Sequence, residues 1–289
     1  MLAPATTAAG EEEKVLTTAE ALALPQPAAD HRIHYGAAPL QLGELRLPEG
    51  DGPFPVAIVL HGGCWLADYD LGYVSALAAA LAAEGVATWS LEYRRVGDDG
   101  GGWPGTFLDV AAGTDHLRAL AGRFPLDLDR VVAVGHSAGG HLALWLAARQ
   151  RFPADSPLTA GEPLPLLGVV GLAPIADLVA YASDDGCGAA VPGLLGGPPG
   201  ELPDRVGLVS PVELLPLGTP QRLLVGDADL IVPPAHVQAY AEAARTAGDD
   251  VVVTVLPAAG HFEPTVPTGP AWPQVLEAVR ALLESPDRE

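Results

Sequence analysis

Short runs of uninterrupted apolar residues, each followed by a glycine-containing or polar loop and then a stretch with helical spacing, constrain this chain most strongly. Residues 56–60 read VAIVL and residues 131–134 read VVAV, and comparable runs lie at 166–172, 222–226 and 251–256. A strand with no polar face suits a parallel sheet covered on both sides, because neither face meets water. Strands are expected at 56–60, 86–91, 131–135, 166–172, 222–226 and 251–256. Helices are expected at 73–84, closed by Gly85, and at 106–121, 138–149, 234–247 and 271–283. Strands alternating with helices imply an α/β fold, a mostly parallel sheet with helices on both faces.

Two regions depart from that rhythm. Residues 1–28 are rich in Ala, Thr, Pro and Glu and are expected to form a loosely attached arm, with a short helix over 18–24. Residues 30–47 read as extended pairs, alternating through Leu40, Leu42, Leu45 and Leu47. The segment 176–216 breaks the alternation with Gly, Pro and short apolar pieces, and an insertion of this length in a compact domain is expected to be a cap or lid. The remainder, 29–289, reads as one domain.

Composition narrows the partners. With Asp and Glu at 36 against Lys and Arg at 15, the 289-residue chain carries a net charge of −21, and Lys14 is its single lysine. Such a field repels nucleic-acid backbones and anionic lipid. No stretch reaches the roughly 18 apolar residues of a membrane span. The N-terminus lacks a basic region followed by an apolar run, so a cytoplasmic location is expected. Cys64 and Cys187 form no metal-ligand pattern, and their spacing leaves a disulfide open without requiring one. No metal or cofactor is expected.

The chemistry concentrates in Gly135-His136-Ser137-Ala138-Gly139-Gly140, between an expected strand and an expected helix. A serine on a sharp strand-to-helix turn exposes its hydroxyl, and flanking glycines let neighbouring backbone approach. The Ala138 amide, at the helix start, then faces developing negative charge. A hydroxyl needs a base. His261, in the Gly260-His261 loop after the last strand, is the expected one, while His136 and His141 read as packing around the elbow. An acid must orient that base. Asp229 is preferred, Asp227 reads as a turn or capping residue, and Asp177 is a weaker candidate. His61-Gly62-Gly63-Cys64-Trp65 follows the first apolar run. There the Gly63 and Cys64 amides are expected to join Ala138 in binding an oxyanion, with Gly62 permitting the turn, His61 holding the loop and Trp65 walling the pocket. Cys64 as nucleophile is the rival reading.

These motifs, in this order, resemble those of α/β-hydrolase-fold serine hydrolases from about Pro53 to Leu283. His61-Gly62-Gly63-Cys64-Trp65 and Ser137-Ala138-Gly139-Gly140-His141 resemble the small carboxylesterase and kynurenine formamidase branch, related to the hormone-sensitive-lipase type. The Gly-x-Ser-x-Gly-Gly run is also similar to that of prolyl-oligopeptidase catalytic domains, whose large N-terminal propeller has no room here. The resemblance implies an α/β-hydrolase fold and hydrolysis of small carboxylic esters through an acyl-serine. Short acyl groups are expected because bulky Trp65 stands beside the nucleophile and the 176–216 segment offers only small apolar residues, Ala189, Ala190, Val191, Leu194 and Leu195. Release of formate from an N-formyl aromatic is the alternative, and a peptidase or a non-catalytic binding protein on the same fold stands behind both.

Overall fold

The computed structural model describes residues 15–153, 155–183 and 185–284. Its described residues build an eight-stranded sheet in the order β1-β2-β4-β3-β5-β6-β7-β8. The strands are β1 (His31–His34), β2 (Leu42–Arg46), β3 (Phe54–Leu60), β4 (Ala87–Leu91), β5 (Leu126–His136), β6 (Gly168–Leu172), β7 (Gln221–Gly226) and β8 (Val251–Leu256). β1 and β2 pair antiparallel, as do β2 and β4, and every other pairing is parallel.

The apolar runs fill both faces. Val56, Ile58 and Leu60 on β3, with Val131 and Ala133 on β5, belong to one buried cluster, whereas Ala57, Val59, Val132 and Val134 belong to the other. Successive strand side chains point to opposite faces, so a run apolar at every position supplies two cores at once.

Helices cover each face. α1 (Thr18–Leu22) precedes the sheet, followed by α2 (Ser75–Ala83), α3 (Gly105–Asp115), α4 (Leu117–Ala121) and α5 (Ala138–Ala148). α6 (Leu178–Tyr181), α7 (Val191–Leu195) and α8 (Pro203–Val209) lie in the 176–216 segment, and α9 (Pro234–Thr246) and α10 (Trp272–Leu283) complete the chain. α2 is almost entirely Ala and Leu, the strongest helix formers, and it stops just before Gly85, whose φ of +89° ends it at no steric cost. The first turn of the helix expected at 73–84 is 3₁₀ (Leu71–Val74). The helix expected over 106–121 is two segments meeting at His116, whose ψ of −20° is tighter than an α-helix.

β5 is longer than expected at its start. Leu126 pairs with Phe54 and Asp127 with Pro55, after which a register shift carries Val56 onto Val131. The short helices of the 176–216 segment bury Leu178, Tyr181, Val191, Leu194, Leu195 and Val209 completely against the larger core cluster. Residues 1–14 of the expected arm lie outside the described residues. Residues from Val15 onward contact the body of the fold: Ala21 is 1% exposed, and the Pro27 carbonyl accepts a hydrogen bond from Arg46 Nη2 at 2.8 Å.

Candidate active site

The residues singled out in the sequence emerge from the carboxyl ends of parallel strands, where α/β sheets open into crevices. Ser137 follows β5, Asp229 follows β7, His261 follows β8, and Gly62, Gly63 and Cys64 follow β3.

Ser137 has φ +57° and ψ −119°, a left-handed backbone that an L-residue adopts only under constraint. The constraint is the crowding around it. A Cβ at Gly135 would collide with the Gly139 carbonyl, and one at Gly139 with the carbonyls of Leu60 and His61. The Ser137 amide donates to Leu172 O at 2.8 Å, which fastens the turn to β6. Ser137 and His261 line one cavity of about 50 Å³, together with Gly63, Cys64, Tyr73 and Cys187.

His261 Nδ1 lies 2.7 Å from Asp229 Oδ2. The other carboxylate oxygen, Oδ1, accepts the amides of Ile231 and Val232, both at 2.8 Å, and Asp229 is 2% exposed. Three hydrogen bonds therefore fix the carboxylate and leave His261 Nε2 as the free edge of the ring. Asp227 is exposed on the same loop. Asp177 caps α6, its Oδ1 accepting the amides of Val179 and Ala180, which assigns that carboxylate a local structural duty.

Across the cavity, Gly63, Cys64 and Trp65 have φ values of +90°, +55° and +57°. This left-handed run turns the loop back on itself. Among the described residues, the amides of Gly63, Cys64 and Ala138 donate to no protein acceptor. The loop is braced by His61, whose Nδ1 is 2.9 Å from Gly62 O and whose Nε2 is 3.0 Å from Glu92 Oε1. Glu92 also accepts the amides of Tyr93 and Leu71 and lies 3.4 Å from Arg95. Burial alone would raise the Glu92 carboxyl; the charge and hydrogen bond of His61, with Arg95 and the Tyr93 amide, outweigh it and hold the group below its usual value.

A second brace joins the two sides of the site. The Gly62 amide donates to Tyr73 Oη, and Tyr73 Oη donates its own proton to His136 Nδ1 at 3.0 Å, because the neutral His136 ring carries its hydrogen on Nε2. His136 Nε2, the remaining ring N–H, donates to the His261 carbonyl at 2.9 Å. Burial, with His261 beside it, keeps the His136 ring neutral by lowering its pKa well below the ordinary value. Buried His141 accepts from Trp65 Nε1 at 3.2 Å and donates to Val209 O at 2.8 Å, and burial lowers it to about 4. The sequence marked both histidines as elbow packing. Tyr73 and Glu92 carry no sequence signal, because the histidines they contact, His136 and His61, lie 63 and 31 residues away.

The structure alters one expectation for the 61–65 loop and removes the rival reading of it. Trp65 is fully buried, edge-on to His141 with ring centroids 5.2 Å apart, and stands behind the loop rather than at the cavity. Cys64 is bonded to Cys187, with Cα atoms 5.2 Å apart across a sequence separation of 123. The disulfide stitches the loop after β3 to the 176–216 segment and removes the Cys64 thiol as a candidate nucleophile.

Comparison with known proteins agrees with this architecture. A model of the BD-FAE family matches residues 44–243. The chain is 31% identical over 144 residues to esterase LipC of Mycobacterium tuberculosis, a match covering 49% of this chain and 35% of that protein. It is 34% identical over 176 residues to the putative esterase NocK of Nocardia uniformis subsp. tsuyamanensis, covering 58% of this chain and 48% of that one. The chain thus spans half or less of the length of these relatives. Among solved structures, a truncated carbohydrate esterase from gut microbiota superposes with a TM-score of 0.76 at 20% identity, over 88% of this chain and 95% of that one. A family model covering more than half of the chain, on an eight-stranded sheet of this order, identifies it: the chain belongs to the BD-FAE family of α/β-hydrolase-fold esterases.

Proposed function

We propose that the chain is a carboxylesterase that cleaves small esters through an acyl-serine intermediate. Ser137 Oγ attacks the ester carbonyl while His261 Nε2 takes its proton. The carbonyl oxygen, now negative, accepts hydrogen bonds from the amides of Gly63, Cys64 and Ala138. As the tetrahedral intermediate collapses, the bond to the alcohol oxygen breaks and His261 returns the proton to it. Water then repeats the sequence and releases the acid. Asp229 holds His261 in the tautomer that leaves Nε2 free and stabilises the ring when it is charged.

The observation that carries this reading is the 2.7 Å contact between His261 Nδ1 and Asp229 Oδ2 beside a cavity that Ser137 also lines. Similarity to proteins named as esterases supports the ester bond as the target. The test is steady-state hydrolysis of methyl acetate, methyl butyrate and methyl decanoate by the wild type and Ser137→Ala. The wild type should turn over acetate and butyrate fastest and the variant should lose at least about 10³-fold in kcat. Equal rates for the two proteins would remove Ser137 from the mechanism.

Location belongs to the same proposal. The described residues contain no helix long and apolar enough to cross a membrane. The Cys64–Cys187 disulfide is a bond that oxidising compartments maintain and a reducing cytosol does not. It weighs against the cytoplasmic expectation. Thiol alkylation of the protein in freshly lysed cells, before any oxidation in air, reads which holds.

A further inference from the structure

The segment before the sheet reaches the cavity. Thr18 and Leu22, one turn apart on α1, line it alongside Phe262 and His261. α1 begins with a capping box, the Thr17 hydroxyl accepting the Glu20 amide and the Glu20 carboxylate accepting the Thr17 amide. Ala21, on the inner side of this helix, is buried, whereas Leu22 is 40% exposed at the cavity rim.

The segment is docked on the loop that carries His261. The Leu16 amide donates to Glu263 Oε1 at 2.5 Å, and Glu263 Oε2 accepts the Gly260 amide at 2.9 Å. A Cβ at Gly260 would lie 2.9 Å from Val15 Cβ, so that glycine keeps the two segments in close contact. Further along, Gln26 lies against Gly72 in the turn that also carries Tyr73. Residues 15–26 thus cross from the His261 loop to the Tyr73 turn.

The chemistry decides which part of a substrate meets them. When the tetrahedral intermediate collapses, the alcohol oxygen must lie within hydrogen-bond reach of His261 Nε2, because that nitrogen supplies its proton. The oxyanion is held by the amides of Gly63, Cys64 and Ala138, which belong to the segments after β3 and β5 and not to the His261 loop. The leaving alcohol therefore departs past His261, toward the elements packed on the His261 loop, and α1 is one of them.

We propose that α1 is the specificity wall for the alcohol portion of the substrate: Leu22 and Thr18 limit the leaving group to small alcohols and leave the acyl side to other residues. This inference rests on the acyl-serine reading above.

The test uses the full chain and two ester series, acetates of methyl, butyl and hexyl alcohols and methyl esters of acetic, butyric and hexanoic acids. Both are followed by pH-stat, with Leu22→Ala and Leu22→Trp compared against the wild type. Leu22→Ala should raise the hexyl-to-methyl ratio of kcat/KM by at least about fivefold, since each newly accommodated methylene is worth roughly fourfold. Leu22→Trp should lower that ratio, and neither variant should move the hexanoate-to-acetate ratio by more than about twofold. Ratios that shift in the acyl series instead, or in neither series, would overturn the proposal. Thermal melts identify any variant that fails to fold, in which case the other variant decides. Absence of ester hydrolysis in the wild type, or full activity in Ser137→Ala, would instead strike the acyl-serine reading.

Discussion

His136, the residue before Ser137, points its Nε2 at the backbone carbonyl of His261, 2.9 Å away. One imidazole thus ties the elbow of the proposed nucleophile to the loop of the proposed base, and through Tyr73 it reaches Gly62 in the loop after β3. Loops from the ends of β3, β5 and β8 are linked by a single chain of hydrogen bonds. Tyr73→Phe would leave the Gly62 amide without its acceptor and His136 Nδ1 without its donor. Losing such a buried partner costs about 1–3 kcal/mol of stability, and the loosened Gly62 and His261 loops should hold the transition state less well, so kcat should fall by about tenfold with the fold retained. Steady-state kinetics with circular dichroism as control check it, and an unchanged kcat would reduce the relay to packing.

The two aspartates on one loop make a sharper comparison. Asp229→Asn keeps the shape of the side chain but removes the charge facing His261 and should lower kcat by on the order of 10³–10⁴. Asp227→Asn, on the exposed residue, should cost less than about threefold, in line with a surface change. The reverse ranking in kcat would misplace the acid.

Closing a loop of this length by the Cys64–Cys187 disulfide restricts the unfolded chain. Its removal in the double variant Cys64→Ser, Cys187→Ser should lower stability by about 2–4 kcal/mol. Dithiothreitol should lower the wild-type melting temperature and leave that of the variant unchanged. A wild-type melt that ignores reductant would show that the link contributes nothing to stability.

Acid should destabilise the fold before the carboxylates titrate. His136 and His141 are neutral in the folded state because burial lowers their pKa values, His141 to about 4, against an ordinary value of 6.5. Between the folded and unfolded values the unfolded chain binds more protons, so stability falls as pH drops from 6.5. Each group contributes about 1.4 kcal/mol per pH unit. Chemical denaturation at pH 7, 6, 5 and 4.5 should show that decline, and His141→Gln should reduce its slope by about one proton. Stability that stays flat over this range would contradict neutral burial of the two rings.

What the sequence disclosed divides along physical lines. Apolar runs made β3, β7 and the end of β5 legible as buried strands, whereas β8, an equally apolar run at the sheet edge, leaves Val252 and Val255 exposed. The start of β5 was not, since Leu126 to Arg130 alternate polar and apolar residues at the sheet margin and pair only beyond a register shift. Ser137, Asp229 and His261 stood out because each sits in a loop directly after an apolar run, where the fold exposes side chains. The contacts that give Glu92, Tyr73 and His136 their place, with His61, His136 and the His261 carbonyl, span 31, 63 and 125 residues, and no local pattern encodes such distances. The cysteine pair was visible, but its closure depends on where the 176–216 segment folds. Trp65 was misjudged because a bulky residue beside a glycine turn can face either way, and here its indole N–H finds His141 in the core.

The central claim is that Ser137 is the nucleophile, activated by His261 and Asp229. The most direct measurement is intact-mass spectrometry of the folded protein after brief exposure to a p-nitrophenyl alkylphosphonate, followed by peptide mapping. One adduct per chain is expected, carried on the peptide containing Ser137, absent from Ser137→Ala and formed far more slowly in His261→Ala. An unmodified wild-type protein, or an adduct on another residue that persists in Ser137→Ala, would contradict the account.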